Sequence, residues 1–240
     1  MGNTLVIDLD GKCNCHCLFC MKQEVLARAP GRSLTGTMHL IRQALAAGQA
    51  GVDFFGGEPT MYPFLKKAIL FAQDNGLQCS LATNAIKFSS PRYALNFFQG
   101  LSLKGLRTTL HSHKAEVHDR ITGVPGSWRK TVLGIRNILV YEQKLTVNIV
   151  INRWNYQDLA ACTQAIYDLK VLGIKFSALQ NAGGALAHRD LFVKDDEYGA
   201  YLLDALRLAS RLGFYMIELE RMPKDILSKA RLAKVKFKSH

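Results

Sequence analysis

Several things are scarce or missing in this 240-residue chain. No apolar run reaches the ~18 residues a membrane-spanning helix needs, so a helical membrane protein is excluded. Met1-Gly2-Asn3-Thr4 lacks the charged and apolar regions of a signal peptide. Val6 stands where a myristoylation site following Gly2 needs Ser or Thr. A cytoplasmic location is the expectation. Acidic residues are few, 19 against 31 Lys and Arg, which leaves a net charge of +12 and a pI near 9.5. That balance favours an anionic partner such as a nucleic acid, a nucleotide or a phosphorylated metabolite. A solvated basic surface explains it equally, because residues 221–240 alone carry seven bases and one acid. No RNA-binding module is recognisable. The hydrophobic share of 48% excludes a disordered chain, and the length fits one α/β domain with one core.

Cysteine is concentrated in one place. Cys13-Asn14-Cys15-His16-Cys17-Leu18-Phe19-Cys20 contains the spacing C-x3-C-x2-C, with an aromatic residue before the last thiol. Three thiolates so close together can hold three corners of a [4Fe–4S] cube and leave the fourth iron without a protein ligand. A structural zinc site would need four ligands, usually as two separated pairs, and no second Cys/His pair at that spacing exists. Recruiting Cys15 or His16 as a fourth ligand would strain eight residues. A disulfide framework suits neither the length nor the absence of a secretion signal. Cys79 and Cys162 are isolated in apolar contexts and read as small buried hydrophobes.

A second motif follows. In Gly51-Val52-Asp53-Phe54-Phe55-Gly56-Gly57-Glu58-Pro59-Thr60 a short apolar run ends in Gly-Gly-Glu-Pro. The glycines allow close approach of backbone to a ligand, and Glu58 offers a carboxylate to an ammonium group. Together the two motifs resemble those of the radical SAM family, CxxxCxΦC and GGEP, in the same order. The resemblance implies that Cys13, Cys17 and Cys20 ligate a [4Fe–4S] cluster. It also implies that Gly56, Gly57, Glu58 and Pro59 bind the amino group of S-adenosylmethionine (SAM), with Phe19 packed beside the adenine.

Short apolar or β-branched runs predict strands over residues 5–9, 52–55, 78–82, 106–110, 146–151 and 174–178. Helical patterns lie between them at 38–47, 62–75, 92–98, 128–142 and 156–172. Gly48, Gly76 and Gly173 stand where C-terminal caps want positive φ. Residues 195–211 read as a further helix and 214–218 as a possible seventh strand. Six β–α units in series imply a parallel sheet with helices outside. The family resemblance implies α/β architecture of the partial (β/α)6 barrel type. The core domain is expected over residues 1–220, with a basic tail, helical or partly disordered, over 221–240. That tail holds no cysteine, so the auxiliary-cluster extensions of many peptide-modifying relatives are not expected.

Further stretches resemble the same family. Thr83-Asn84-Ala85 looks like its TNG turn with alanine replacing glycine. His118-Asp119-Arg120-Ile121-Thr122-Gly123 resembles the HD-x-x-TG segment after strand four. Thr83, Asn84, Thr109 and Asn148 are thereby candidate cofactor-binding residues. Period two puts Asn148, Val150 and Asn152 on one strand face. If that face lines the barrel, Asn148 or Asn152 reaches the SAM ribose or carboxylate; otherwise these are strand-end asparagines capping the next helix, the reading favoured for Asn155. His111 and His113 are placed to face substrate, as is Arg120, whose other reading is a loop anchor to a carboxylate. His118 and Asp119 cap or stabilise a helix start, and a second metal site among these histidines is not expected. Gly183 and Gly184 are expected near the methionyl group.

The resemblance implies an oxygen-sensitive enzyme that reductively cleaves SAM to methionine and a 5′-deoxyadenosyl radical, which abstracts hydrogen from a polar or anionic substrate. Implied partners are a small-molecule or peptide substrate and a one-electron reductant such as flavodoxin or ferredoxin. Two alternatives stand beside this reading: a radical SAM enzyme modifying tRNA, and a non-catalytic iron–sulfur sensor or assembly protein.

Overall fold

The apolar runs and intervening amphipathic segments assemble into one parallel sheet with helices along its outer face. A computed structural model describes residues 3–9, 11–22, 31–141, 143–233 and 235–239. Among them are eight strands: β1 (Thr4–Asp8), β2 (Gly51–Phe55), β3 (Gln78–Ala82), β4 (Leu103–Thr109), β5 (Leu145–Ile151), β6 (Gly173–Ala178), β7 (Met216–Glu220) and β8 (Lys238–Ser239). They hydrogen-bond in sequence order and every pair is parallel. β1 and β8 are the two edges, so the sheet curls into a partial barrel that stays open. The helices are α1 (Leu34–Ala46), α2 (Leu65–Asp74), α3 (Pro91–Phe98), α4 (Ala115–Thr122), α5 (Ser127–Leu139), α6 (Leu159–Asp168), α7 (Asp195–Arg211) and α8 (Lys224–Leu232). None is long and apolar enough to cross a membrane.

Strand alternation gives the sheet two unlike faces. Val52, Phe54, Leu81, Leu106, Ile149 and Phe176 are buried in the core beneath the helices. Burial of one such side chain stabilises by roughly 1.5–3 kcal/mol. The alternate positions turn to the concave side and are largely polar: Asp53, Ser80, Arg107, Thr109, Asn148, Lys175, Ser177 and Glu220. The carboxyl ends of the strands surround the mouth of this concavity, where chemistry sits in βα barrels.

Several boundaries differ from the sequence reading. α1 begins at Leu34 because the Ser33 hydroxyl accepts the Gly36 N–H and caps it. The helix expected over 62–75 is α2, which starts three residues later, after a 3-10 turn at Pro59–Met61. The helix expected over 156–172 likewise begins as a 3-10 turn, Tyr156–Asp158, and continues as α6. Gly48 and Gly76 adopt positive φ as expected, whereas Gly173 lies inside β6 and Lys170 takes the left-handed conformation instead. α7 spans 195–211 as predicted, and the seventh strand lies two residues later than its pattern suggested. Within 221–240, Ile226 and Ala230 of α8 are buried and Lys238–Ser239 adds to the sheet edge. Met1, Gly2 and Glu142, which entered the sequence reading, lie outside the described residues.

Candidate functional site

The loop carrying the cysteines leaves β1 and is tied to four other chain segments. Lys12 O accepts the Glu58 N–H at 2.7 Å, joining the loop to the turn after β2. The His16 and Leu18 N–H groups donate to Thr122 O at 2.8 Å and Ile121 O at 3.0 Å, at the end of α4. Asn84 Nδ2, after β3, donates to Asn14 Oδ1 at 2.5 Å and to Cys15 Sγ at 3.4 Å. Cys20 O accepts the Gly184 N–H at 2.9 Å, after β6. Two glycines are required by this closeness. A Cβ on Gly57 would lie 2.2 Å from Lys12 O, and one on Gly183 would lie 2.5 Å from Met21 Cα. Gly183 and Gly184 therefore pack on the cysteine loop.

Cys13, Cys17 and Cys20 are half-buried, while Cys15 is buried between them in sequence. The Cys15 N–H donates to Cys13 Sγ at 3.4 Å. A side-chain hydrogen bond with Cys15, then burial, pushes the Cys13 thiol well above the ordinary thiol range. A thiol must shed its proton to ligate metal, so this shift works against ligation until a metal arrives. Among the described residues no three His, Cys, Asp or Glu side chains gather at metal-holding geometry. The donor set nonetheless suits an iron–sulfur cluster: soft, accessible thiols on a loop whose backbone is already fixed.

Glu58 is 3% exposed. Its Oε1 accepts the Thr60 N–H at 3.0 Å, the Thr60 hydroxyl at 2.6 Å and the Thr83 hydroxyl at 2.6 Å. Oε2 accepts the Asn84 N–H at 2.6 Å. Burial raises its pKa, and those donors oppose the rise. Oε1 is saturated, so only Oε2 keeps an acceptor position for an incoming cation. Pro59 is buried and opens the 3-10 turn that presents Thr60. Thr83 and Asn84, singled out as cofactor residues, direct the bonds just described to Glu58 and to the cysteine loop.

The histidines are a correction. His111, expected at the substrate face, is 1% exposed and closed off from solvent. Its N–H donates to His118 Nδ1 at 3.1 Å, its carbonyl accepts Asn155 Nδ2 at 2.8 Å, and its ring meets Phe19 edge-on at 5.1 Å. Burial, then the His118 charge, holds His111 well below the ordinary histidine range, and burial pulls His118 down to about 4. Asp119 does cap a helix, but the next one: it accepts from the Gly126 N–H, the Ser127 hydroxyl and the Trp128 N–H at the start of α5. Burial works against its charge, yet the N–H groups of Trp128 and Gly126 hold it below the ordinary carboxylate range. Arg120 stacks 3.7 Å above the Trp154 ring, and among the described residues it pairs with no carboxylate. His113 Nδ1 lies 3.7 Å from Cys162 Sγ.

Thr109 and Asn148 are register partners on the concave face. Asn148 Oδ1 lies 2.8 Å from the Ser177 hydroxyl, which is also 2.9 Å from Glu220 Oε2. Asn152 accepts the Trp154 N–H and binds the Val150 carbonyl, so it closes its own turn. Asn155 makes no helix-cap bond; its amide ties Val150 O to His111 O.

The sequence reading missed Lys175, Ser177 and Glu220. Lys175 Nζ sits 3.1 Å from Glu220 Oε2, and across the concavity Arg107 pairs with Asp53 at 2.5 Å. Their signal was the polar alternation in Ile174-Lys175-Phe176-Ser177 and Ile217-Glu218-Leu219-Glu220. The concave surface thus mixes both charge signs, in contrast to the basic balance of the whole chain.

Comparison with known proteins agrees with this geometry. The family model described as the Radical SAM superfamily matches residues 10–165. The chain is 24% identical over 226 residues to Fe-coproporphyrin III synthase of Methanosarcina barkeri (strain Fusaro / DSM 804), covering 88% of this chain and 53% of that protein. Its fold superposes on native anSMEcpe with bound AdoMet at a TM-score of 0.70 and 13% identity, over 99% of this chain and 63% of the other. Streptococcus suis SuiB bound to precursor peptide SuiA gives 0.67 at 15% identity, over 100% and 49%. The chain spans about half the length of the curated relatives it matches. With the family model covering well over half its length, and both motifs meeting at the mouth of a parallel partial barrel, this chain belongs to the radical SAM superfamily.

Proposed function

We propose that this chain is a radical SAM enzyme acting on a polar substrate held in the concavity of its sheet. The observation that carries the reading is the direct seating of the cysteine loop on the Gly57–Glu58 turn, through Glu58 N–H to Lys12 O at 2.7 Å. Cys13, Cys17 and Cys20 would hold the [4Fe–4S] cluster, and Gly56, Gly57, Glu58 and Pro59 would receive the methionyl end of SAM. Once reduced by its electron donor, the cluster would supply one electron to the sulfonium of SAM, which would cleave to methionine and a 5′-deoxyadenosyl radical able to take a hydrogen atom from substrate.

The chain's own residues supply position and shelter. Thr60, Thr83 and Asn84 fix the Glu58 carboxylate so that its open Oε2 position is aimed before ligand arrives. Phe19, braced on His111, closes the cysteine loop against the mouth with an apolar ring. Thr109 and Asn148 offer polar groups to SAM from the concave face. Beyond them, Asp53–Arg107 and Lys175–Glu220 line opposite walls. Paired charges of both signs suit a polar or zwitterionic group, as on a peptide, better than a polyanion. The relatives' names include both a porphyrin synthase and a peptide-bound enzyme. A flavodoxin or ferredoxin is the proposed reductant.

The test is anaerobic incubation of iron-reconstituted protein with SAM and dithionite. 5′-Deoxyadenosine should form, and Cys17→Ala should abolish it. Full iron loading without 5′-deoxyadenosine would instead support a non-catalytic iron–sulfur protein.

A further inference from the structure

We infer that Asn84 is a positioning residue that locks the cysteine loop to the Glu58 turn, and so sets where the cluster sits relative to SAM. The inference rests on the radical SAM reading and deepens it. Asn84 uses every polar group it has. Its N–H donates to Glu58 Oε2 at 2.6 Å, and its Nδ2 donates to Asn14 Oδ1 at 2.5 Å and Cys15 Sγ at 3.4 Å. Its Oδ1 accepts the Ile86 N–H at 3.0 Å, and its carbonyl accepts the Thr131 hydroxyl at 3.1 Å. One residue thus bonds the glutamate turn, the cysteine loop and α5.

The backbone beside it is held under constraint. Ala85 sits at φ 63, ψ 0, a left-handed conformation that is unfavourable for a residue other than glycine. α5 packs directly on this turn, since a Cβ on Gly134 would come within 2.1 Å of Ala85 O. A strained turn that persists under such enclosure keeps its side chain aimed. Here the side chain it aims is the Asn84 amide, into the run between Cys13 and Cys17.

Two substitutions separate this role from a plain turn cap. Asn84→Asp keeps the Oδ1 acceptor for Ile86 and the backbone bond to Glu58, but loses the Nδ2 donor. Asn84→Ala loses both side-chain functions. In anaerobically reconstituted protein, both variants should release iron to a chelator about tenfold faster than the parent, as expected for loss of one buried hydrogen bond. Both should also alter the electron paramagnetic resonance change that SAM produces in the reduced cluster. The iron-free Asn84→Asp protein should melt close to the parent, because its turn cap survives. If Asn84→Asp matches the parent in iron release and in its SAM-dependent spectrum, the residue is a turn cap and the inference is wrong. If the parent itself takes up no iron, the radical SAM reading fails first, and that outcome is distinguishable from failure of the clamp.

Discussion

The glutamate turn after β2 and the cysteine loop after β1 meet at one backbone hydrogen bond, yet they are finished to different degrees. Glu58 is buried, its four bonds are made, and Pro59 opens the 3-10 turn that follows it. The cysteine loop has its main chain anchored at Lys12, His16, Leu18 and Cys20, while Cys13, Cys17 and Cys20 are only half-buried. One half of the site is assembled by folding. The other half has its backbone placed and its three motif thiols within reach of solvent. That division suits the chemistry, because thiols must lose their protons to ligate metal, whereas a carboxylate that receives an ammonium group needs only to be aimed.

The contrast can be broken most severely at the metal side. Cys17→Ala should lose the cluster, whereas Cys15→Ala should retain about four iron per chain on anaerobic reconstitution. Iron and sulfide analysis checks both, and cluster loss in Cys15→Ala would mean that the buried thiol is a ligand. On the prebuilt side, Glu58→Gln keeps the shape, removes the charge and turns one of the two acceptor oxygens into a donor facing Asn84 N–H or the threonine donors. SAM affinity should fall roughly ten- to hundredfold by calorimetry, as expected for a charge-assisted bond of about 1.5–3 kcal/mol.

The pH dependence of stability probes the packing beneath the cysteine loop. His118 is held neutral with a pKa of about 4 against an ordinary 6.5, and His111 is shifted the same way. The unfolded chain then binds more protons than the folded one between those values, so stability falls as pH drops from 6.5 towards 4. For His118 the loss is up to about 3 kcal/mol. Glu58 acts in the opposite sense, because its raised pKa favours the folded state at lower pH. Chemical denaturation of His118→Asn, which keeps an acceptor for the His111 N–H, should show a flatter acid limb than the parent. The smallest effect is expected at Arg120→Ala. Losing its stacking on Trp154 should cost under about 1 kcal/mol and leave reductive SAM cleavage unchanged.

The motifs and the succession of strands were legible because each rests on local pattern. C-x3-C-x2-C, the glycines before Glu58 and the period-two runs of β2, β3 and β5 need no knowledge of distant residues. What stayed hidden depends on pairs far apart in the chain. Asn84 reaches Asn14 across 70 residues, and Gly184 reaches Cys20 across the whole barrel. No local signal says that Asn155 ties two strand ends together instead of capping a helix. Burial also misled: three histidines in eight residues resemble a ligand-facing cluster, whereas His111 and His118 form a stacked buried pair, rings 5.6 Å apart, supporting Phe19. The net charge pointed to an anionic substrate, while the concave face carries Asp53 and Glu220 beside Arg107 and Lys175.

The central claim is that the cysteine loop and the glutamate turn form one cofactor site. The most direct test is the electron paramagnetic resonance spectrum of the reduced, fully iron-loaded protein before and after SAM is added. The account expects SAM to change the cluster spectrum, and expects that change to weaken in Glu58→Gln. A spectrum that SAM leaves unaltered at full iron loading would contradict it.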